Sequence, residues 1–317
     1  MKTEDHIKNV LPVEDLLTGV VDSIQKASLS KDMKIGLSTG YNSIDEATGG
    51  FQGGDLITIA GYTMTGKTAL ALSMARNIAV EQGIPVLFIS LGMSNTCLVQ
   101  RLIATACDIP LQKIINTQLY PNDWNNLDSR INELIGAPFY IEDTPWLGTK
   151  ELLESCRHAV SAHLAKAIFI DCLQLINWTY HYNRSIDEEQ SEIVFSLKSL
   201  AKELNIPIVV VSSLKRKPQK EDPFLGKLPE AKESPGNGTL ESISDYVLLM
   251  HRPELYHIYQ DEHGRDLHGI IEIQLVKNAR GYGKDVFLKF KASTGSFSPS
   301  SETPYPNIEH SAIPPFM

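Results

Sequence analysis

From residue 35 onward, short apolar runs alternate with stretches whose apolar residues recur at helical spacing, the pattern of a mostly parallel sheet covered by helices. The runs 56–60, 86–90, 139–142, 167–171, 206–211, 246–251, 269–276 and 286–289 read as strands. Helical spacing covers 67–82, closing at Gly83, then 96–107, 124–135, 149–163 and 188–204. The last two strands are joined through Arg280-Gly281-Tyr282-Gly283 and predict an antiparallel hairpin appended to the parallel core. Ahead of this block, Val13, Leu16, Leu17, Val20, Val21 and Ile24 form an apolar stripe on a helix over 11–27, with Pro12 near its start. That stripe packs either on the chain's own core or on a neighbouring subunit. Two segments lack periodicity: 215–238, rich in Lys, Pro, Glu and Gly, reads as a long loop, and 298–317 as a disordered Ser/Pro tail. The organisation is therefore a helix and linker over 1–34, an α/β domain over 35–297, and a tail over 298–317.

Composition narrows the class. A chain of 317 residues suits one large α/β domain with appendages. A net charge of -9 excludes a surface that is basic everywhere, while leaving room for a basic inner face. Cys97, Cys107, Cys156 and Cys172 have no C-x-x-C or Cys/His ligand spacing, so neither a zinc site nor a disulfide framework is expected. A reducing cytoplasm fits. The N-terminus has no apolar signal region and no apolar stretch approaches membrane-spanning length, so no membrane partner is expected.

The strongest chemical signal follows the first strand. Gly61-Tyr62-Thr63-Met64-Thr65-Gly66-Lys67-Thr68 is a complete G-x-x-x-x-G-K-T loop between a strand and a helix. Such a loop turns the backbone N–H groups of residues such as Thr63, Thr65 and Gly66 toward phosphates and adds the positive end of the helix dipole. Lys67 then reaches the β/γ-phosphates, and the Thr68 hydroxyl sits on Mg²⁺. A second signal is Asp171, an acid closing the buried strand 167–171. At the carboxyl end of a parallel strand it projects into the crevice where open α/β sheets bind ligands, opposite Thr68, where it could hold the same metal.

Several further motifs stand in order around these two. They are Gly36-Leu37-Ser38-Thr39-Gly40-Tyr41-Asn42-Ser43-Ile44-Asp45, then Gly49-Gly50-Phe51-Gln52-Gly53-Gly54-Asp55-Leu56, Tyr140-Ile141-Glu142-Asp143-Thr144-Pro145, Asp171-Cys172-Leu173-Gln174-Leu175, Leu197-Lys198-Ser199-Leu200-Ala201-Lys202-Glu203-Leu204 and Arg252-Pro253-Glu254. Together they resemble the RecA-like ATPase domain of the DnaB family of replicative helicases over nearly the whole chain. The resemblance implies a RecA-like P-loop NTPase fold, with a central mostly parallel sheet flanked by helices, a C-terminal β-hairpin and an N-terminal linker helix that grips the adjacent subunit. It further implies an ATP-dependent DNA helicase or translocase: a homo-hexameric ring with ATP and Mg²⁺ at subunit interfaces and single-stranded DNA in the channel. Lys277 matches the lysine of the family's trans-acting Lys-x-Arg finger, and Arg280 lies one residue beyond the arginine, whose place Ala279 takes. Only residues 1–10 precede the first helix, so primase contact through an N-terminal domain is not expected.

Two more departures concern hydrolysis. Gly92 stands where the family carries the glutamate presumed to act as general base, and Ser213 where it carries a γ-phosphate-sensing glutamine. Gly61, Gly66, Lys67, Thr68 and Asp171 are retained, so the alternative reading is a catalytically impaired DnaB-like nucleotide-binding or regulatory protein. For DNA, Trp178, Tyr180 and Arg184 follow the Asp171 strand as an aromatic and basic loop suited to stacking bases and meeting a phosphate, or else cover the core edge. Lys215 and Arg216 open a second basic run, either a DNA contact or a solvated loop.

Overall fold

Unbroken apolar runs make strands buried on both faces, and among the described residues these form the centre of a nine-stranded sheet ordered β3-β2-β4-β5-β1-β6-β7-β8-β9. The computed structural model describes residues 36–176, 186–214, 238–261, 264–281 and 283–300, with scattered residues between 12 and 25. Strands β1 (Leu56–Gly61), β2 (Val86–Ser90), β3 (Phe139–Glu142), β4 (Ala167–Asp171), β5 (Ile208–Ser213) and β6 (Tyr246–His251) run parallel. Strands β7 (Ile270–Asn278), β8 (Asp285–Lys291) and β9 (Ser296–Pro299) extend the sheet antiparallel.

Alternation along the strands divides the core. Ile57, Ile59, Phe88 and Phe169 face one side, against α1 (Asn42–Thr48), α2 (Lys67–Arg76) and α3 (Asn95–Cys107), through Ile44, Leu70, Met74, Leu98 and Leu102. Leu56, Ile168, Ile170 and Val210 face the other, against α6 (Thr149–Ser161) and α7 (Ile186–Leu204), through Leu152, Cys156, Val194 and Leu197. Helices α4 (Leu111–Ile115) and α5 (Pro121–Leu134) lie between α3 and β3, and α8 (Thr239–Ile243) leads into β6.

Parallel order brings the carboxyl ends of the strands to one edge. Register pairs Gly61 with Ser213, Asp171 with Val211 and Ser90 with Asp171, so the loops that follow these strands meet there. The motif at 36–45 is used structurally. Within it the Asp45 carboxylate accepts from Thr39 N (2.8 Å), Thr39 Oγ1 (2.7 Å) and Ser38 Oγ (2.5 Å) and so folds the segment over α1.

Four details depart from the hydrophobic pattern. The helix expected over 67–82 is α-helical only to Arg76 and passes into a π-helix, Asn77–Glu81. Asn77 is buried there and its Nδ2 donates to the Thr39 carbonyl at 3.3 Å, a polar anchor inside an otherwise apolar turn. The strand expected from 206 starts at Ile208, after Pro207, which has no amide to give to a ladder. The expected terminal hairpin exists and gains β9, whose Ser298 and Pro299 pair with Lys289 and Leu288 although composition assigns them to the tail. At the N-terminus the described helical residues Val13, Leu17 and Val21 are exposed, so that part of the stripe is not covered by the chain's own core. Among the described residues no helix is long and apolar enough to cross a membrane.

Candidate nucleotide-binding site

The loop between β1 and α2 is shaped by two glycines. Gly66 sits at φ +96° as the residue before α2, a left-handed conformation that side chains rarely adopt. A Cβ on Gly61 would lie 2.8 Å from the Met250 carbonyl oxygen and 2.9 Å from Thr65 Oγ1, so only glycine fits. Thr65, fully buried, donates its hydroxyl to the Tyr62 carbonyl at 2.9 Å and braces the turn. Lys67 Nζ donates to the same carbonyl at 2.7 Å. Burial lowers the Lys67 amine to a pKa of about 8, against the opposing pull of Asp171 and Cys172. Thr63 and Met64 form the exposed rim, and the first amides of α2 have no helical acceptor of their own.

These elements open on a cleft of about 470 Å³. Lys67, Thr68, Ala69 and Leu72 form its floor, and Asp171, Cys172, Leu175 and Ser213 come from the ends of β4 and β5. Arg101 and Thr105 of α3, Thr294 and Gly295 of the β8–β9 turn, and Arg252 with Phe290 complete the walls. Burial pushes the Asp171 carboxyl pKa up, while the hydrogen bond from Thr68 and the charges of Lys67 and Arg101 draw it down. A hydroxyl and a carboxylate facing each other are the hard oxygen donors that Mg²⁺ takes, its other positions being filled by water and phosphate. Among the described residues no group of three or more His, Cys, Asp or Glu could hold a metal ion by itself. The Arg252 guanidinium is held by Glu254 and lies 5.0 Å over the Phe290 ring, a flat cationic surface on the cleft wall.

The family described as DnaB-like helicase C terminal domain matches residues 36–299. This chain belongs to that family. It is 32% identical over 278 residues to a replicative DNA helicase DnaB of Geobacillus stearothermophilus, covering 88% of this chain and 60% of that protein. With the DnaB of Treponema pallidum (strain Nichols) it shares 35% over 240 residues, covering 76% and 53%. The chain thus spans between half and two thirds of the length of these relatives. In fold it resembles the ATPase domain of G40P, with a TM-score of 0.80 at 24% identity over 92% of this chain and all of that one. It also resembles a DnaB-like replicative helicase described with its primase interactions, with a TM-score of 0.75 at 25% identity over 92% of this chain and 68% of that one.

In this DnaB-like domain Thr63, Gly66, Lys67, Thr68 and Asp171 line one cleft, with Gly61 and Thr65 shaping the loop behind them. Gly92 and Ser213 line it too, and Asp171 is the one carboxylate among its described lining residues. Glu142 is instead bonded to Ser155 and Thr144, and Asp143 Oδ2 accepts from Asn95 N at 2.7 Å at the start of α3. Lys277 and Arg280 are engaged within the chain. Lys277 Nζ donates to the Glu241 and Ser242 carbonyls (2.8 and 2.6 Å), capping α8. Arg280 makes a two-pronged ion pair with Asp55 at 2.7 and 2.8 Å and donates to Tyr246 Oη at 2.6 Å. Trp178, Tyr180, Arg184, Lys215 and Arg216 lie outside the described residues. Among the cleft residues outside the motif reading are Arg101 and Phe290. Arg101 and Thr105 share an i, i+4 polar face on a helix whose Leu98 and Leu102 are buried, a pattern that a solvated amphipathic helix shares.

Proposed function

We propose that the chain binds ATP with Mg²⁺ as a subunit of a DnaB-type ring acting on single-stranded DNA. The observation that carries this is the convergence of Lys67, Thr68 and Asp171 on one cleft at the carboxyl edge of the sheet. In this reading the loop amides and Lys67 take the β- and γ-phosphates, a phosphate oxygen replacing the Tyr62 carbonyl as acceptor for Lys67. Thr68 and Asp171 hold Mg²⁺, which neutralises the phosphate charge, and the nucleobase stacks on the Arg252 guanidinium. The exposed Val13, Leu17 and Val21 support docking of the N-terminal helix on a neighbouring copy, and the relatives named as replicative helicases support a homo-hexamer around single-stranded DNA. Trp178, Tyr180, Arg184, Lys215 and Arg216 are the proposed DNA contacts. The domain limits 1–34, 35–297 and 298–317, with the ring residing in the cytoplasm, belong to the same proposal.

A second reading is favoured by one feature of the cleft. With Asp171 committed to the metal and Gly92 lacking a side chain, the described lining holds no further carboxylate to take a proton from an attacking water. Tethering of Arg280 to Asp55 also removes it from reach of a neighbour's phosphates unless that ion pair opens. The subunit therefore holds nucleotide better than it turns it over. Titration of a fluorescent ATP analogue with and without Mg²⁺, in wild type and Lys67→Ala, tests the binding claim: saturable Mg²⁺-dependent binding abolished by the substitution is expected. Failure of the wild-type chain to bind would overturn it.

A further inference from the structure

The ladder between β4 and β5 ends at the pair Asp171–Val211, and past it the β4 backbone turns away into a single 3₁₀ turn, Leu173–Leu175. Gln174 on that turn reaches back across the gap. Its Oε1 accepts from Ser213 N at 3.1 Å, and its Nε2 donates to the Ser213 carbonyl at 3.1 Å and to Ser212 Oγ at 2.9 Å. A side-chain amide thus pairs with Ser213 as the backbone of a further strand residue would, and the join between the strands continues where the main chain has left it. The turn that carries Gln174 is itself fixed. Leu175 N donates to the Cys172 carbonyl at 3.0 Å and Ile176 N to the Leu173 carbonyl at 3.2 Å, while Leu173 and Ile176 are buried with the core residues of α6 and α7. On the β5 side, Leu214 N donates to the Gly61 carbonyl at 3.0 Å, which ties this strand end to the start of the phosphate loop. Asp171, Cys172 and Leu175 on one side of the clamp and Ser213 on the other line the cleft; Gln174 is not among its described lining residues.

We propose that Gln174 is a positioning residue that couples nucleotide binding to single-stranded-DNA binding, by locking the end of β5 to the turn that follows the Asp171 strand. This inference rests on the nucleotide and DNA reading given above. Ligation of Mg²⁺ by Asp171 constrains the start of the turn that carries Gln174, and the amide passes that constraint to Ser212 and Ser213 through its hydrogen bonds. From these two strand ends the chain runs on into the segments that hold Trp178, Tyr180 and Arg184 on one side and Lys215 and Arg216 on the other. With the clamp in place the two strand ends are one body, and a ligand that orders one orders the other. Without it each end answers to its own ligand. The coupling is reciprocal: the factor that Mg-ATP adds to DNA affinity is the factor that DNA adds to Mg-ATP affinity.

The test is a binding cycle on the full chain in wild type, Gln174→Ala and Gln174→Met, the last keeping the length of the side chain while losing its hydrogen bonds. Affinity for a fluorescent oligo-dT is read by anisotropy without nucleotide and with saturating Mg-ATP, and Mg-ATP affinity by calorimetry with and without oligo-dT. Wild type is expected to bind oligo-dT about 5- to 150-fold more tightly with Mg-ATP, the usual range for coupled sites, and Mg-ATP more tightly by the same factor with oligo-dT. Both variants are expected to keep each single-ligand affinity within about twofold while the coupling factor falls to about twofold or less. Loss of both affinities with their coupling unchanged is what a merely structural clamp gives, and it would overturn the assignment. So would coupling retained in Gln174→Met, or wild-type binding of both ligands without coupling. Failure of wild type to bind Mg-ATP or oligo-dT at all would instead sink the nucleotide and DNA reading itself, so the two failures are distinguishable.

Discussion

Arg280 is the residue for which the family resemblance and the geometry give opposite expectations. As a displaced finger it would act on a neighbour's nucleotide, and its loss would lower turnover of the assembled ring with little effect on folding. In the structure it closes the end of β7 onto the start of β1: the guanidinium takes both oxygens of Asp55, donates to Tyr246 Oη, and lies 5.7 Å over the Tyr246 ring. The Asp55 side chain is 3% exposed and that of Arg280 37%. Arg280→Ala therefore leaves a buried carboxylate with the Gln52 amide (2.7 Å) as its remaining described donor. Breaking a buried pair costs about 3–5 kcal/mol, and solvent access to the guanidinium reduces this to about 2–3 kcal/mol here. For a domain of this size that corresponds to a fall in melting temperature of about 4–12 °C. The assay is thermal unfolding of wild type, Arg280→Ala, Asp55→Asn and the double variant. A double variant less destabilised than the sum of the singles is expected, because the two residues share one interaction. An unchanged melting temperature in Arg280→Ala, together with a large loss of ATPase activity at ring-forming concentrations, would refute the structural role and restore the finger.

The remaining predictions concern the cleft. Gly92→Glu should raise steady-state ATPase activity by at least about tenfold, since a positioned general base contributes ~10²–10⁴. The new Cβ would sit 3.0 Å from Leu175 Cδ1, the far end of a half-exposed side chain that can rotate away, so Gly92→Gln should fold as well yet stay slow. No gain with glutamate would place the limit at Ser213 and the missing finger. ATP affinity should fall as pH rises through about 8, because burial lowers the free Lys67 amine to that value and phosphate binds its charged form. The sign follows: below that pH Lys67 is already charged, whereas above it each binding event must take up a proton and Kd rises up to about tenfold per pH unit. Lys67→Arg, whose guanidinium stays charged across this range, should remove this dependence; a flat profile in wild type would contradict the buried, depressed amine.

Much of the fold was legible because the strands that build it are buried on both faces. Uninterrupted runs such as Ile57-Thr58-Ile59-Ala60 and Ile168-Phe169-Ile170 admit little other than central strands of a parallel sheet. What escaped depends on contacts distant in sequence or on polar residues used structurally. Ser298 and Pro299 of β9 have a tail's composition and become strand only because β8 offers an edge. Asn77 marks the change to a π-helix only once the Thr39 carbonyl is beside it, 38 positions earlier. The loop spacing and Asp171 were legible as candidates, glycine, lysine and threonine at fixed spacing having few other uses, and the structure brings them to one cleft. The fate of Arg280 was not, since Asp55 lies 225 residues away and nothing local announces the ion pair. Arg101 was hidden for a similar reason: one arginine on an amphipathic helix says nothing until the opposite wall of the cleft is placed.

The central claim, a DnaB-type site that retains nucleotide binding while its hydrolytic side is depleted, meets its most direct test in one paired measurement. Mg-ATP binding and single-stranded-DNA-stimulated ATPase turnover would be recorded on the same preparation. The account predicts saturable binding that depends on Lys67, together with turnover of about 0.1 s⁻¹ or less, two decades below the ~10 s⁻¹ typical of enzymes, for want of a general base. Turnover of about 10 s⁻¹ with DNA, or no Mg-ATP binding at all, would contradict it.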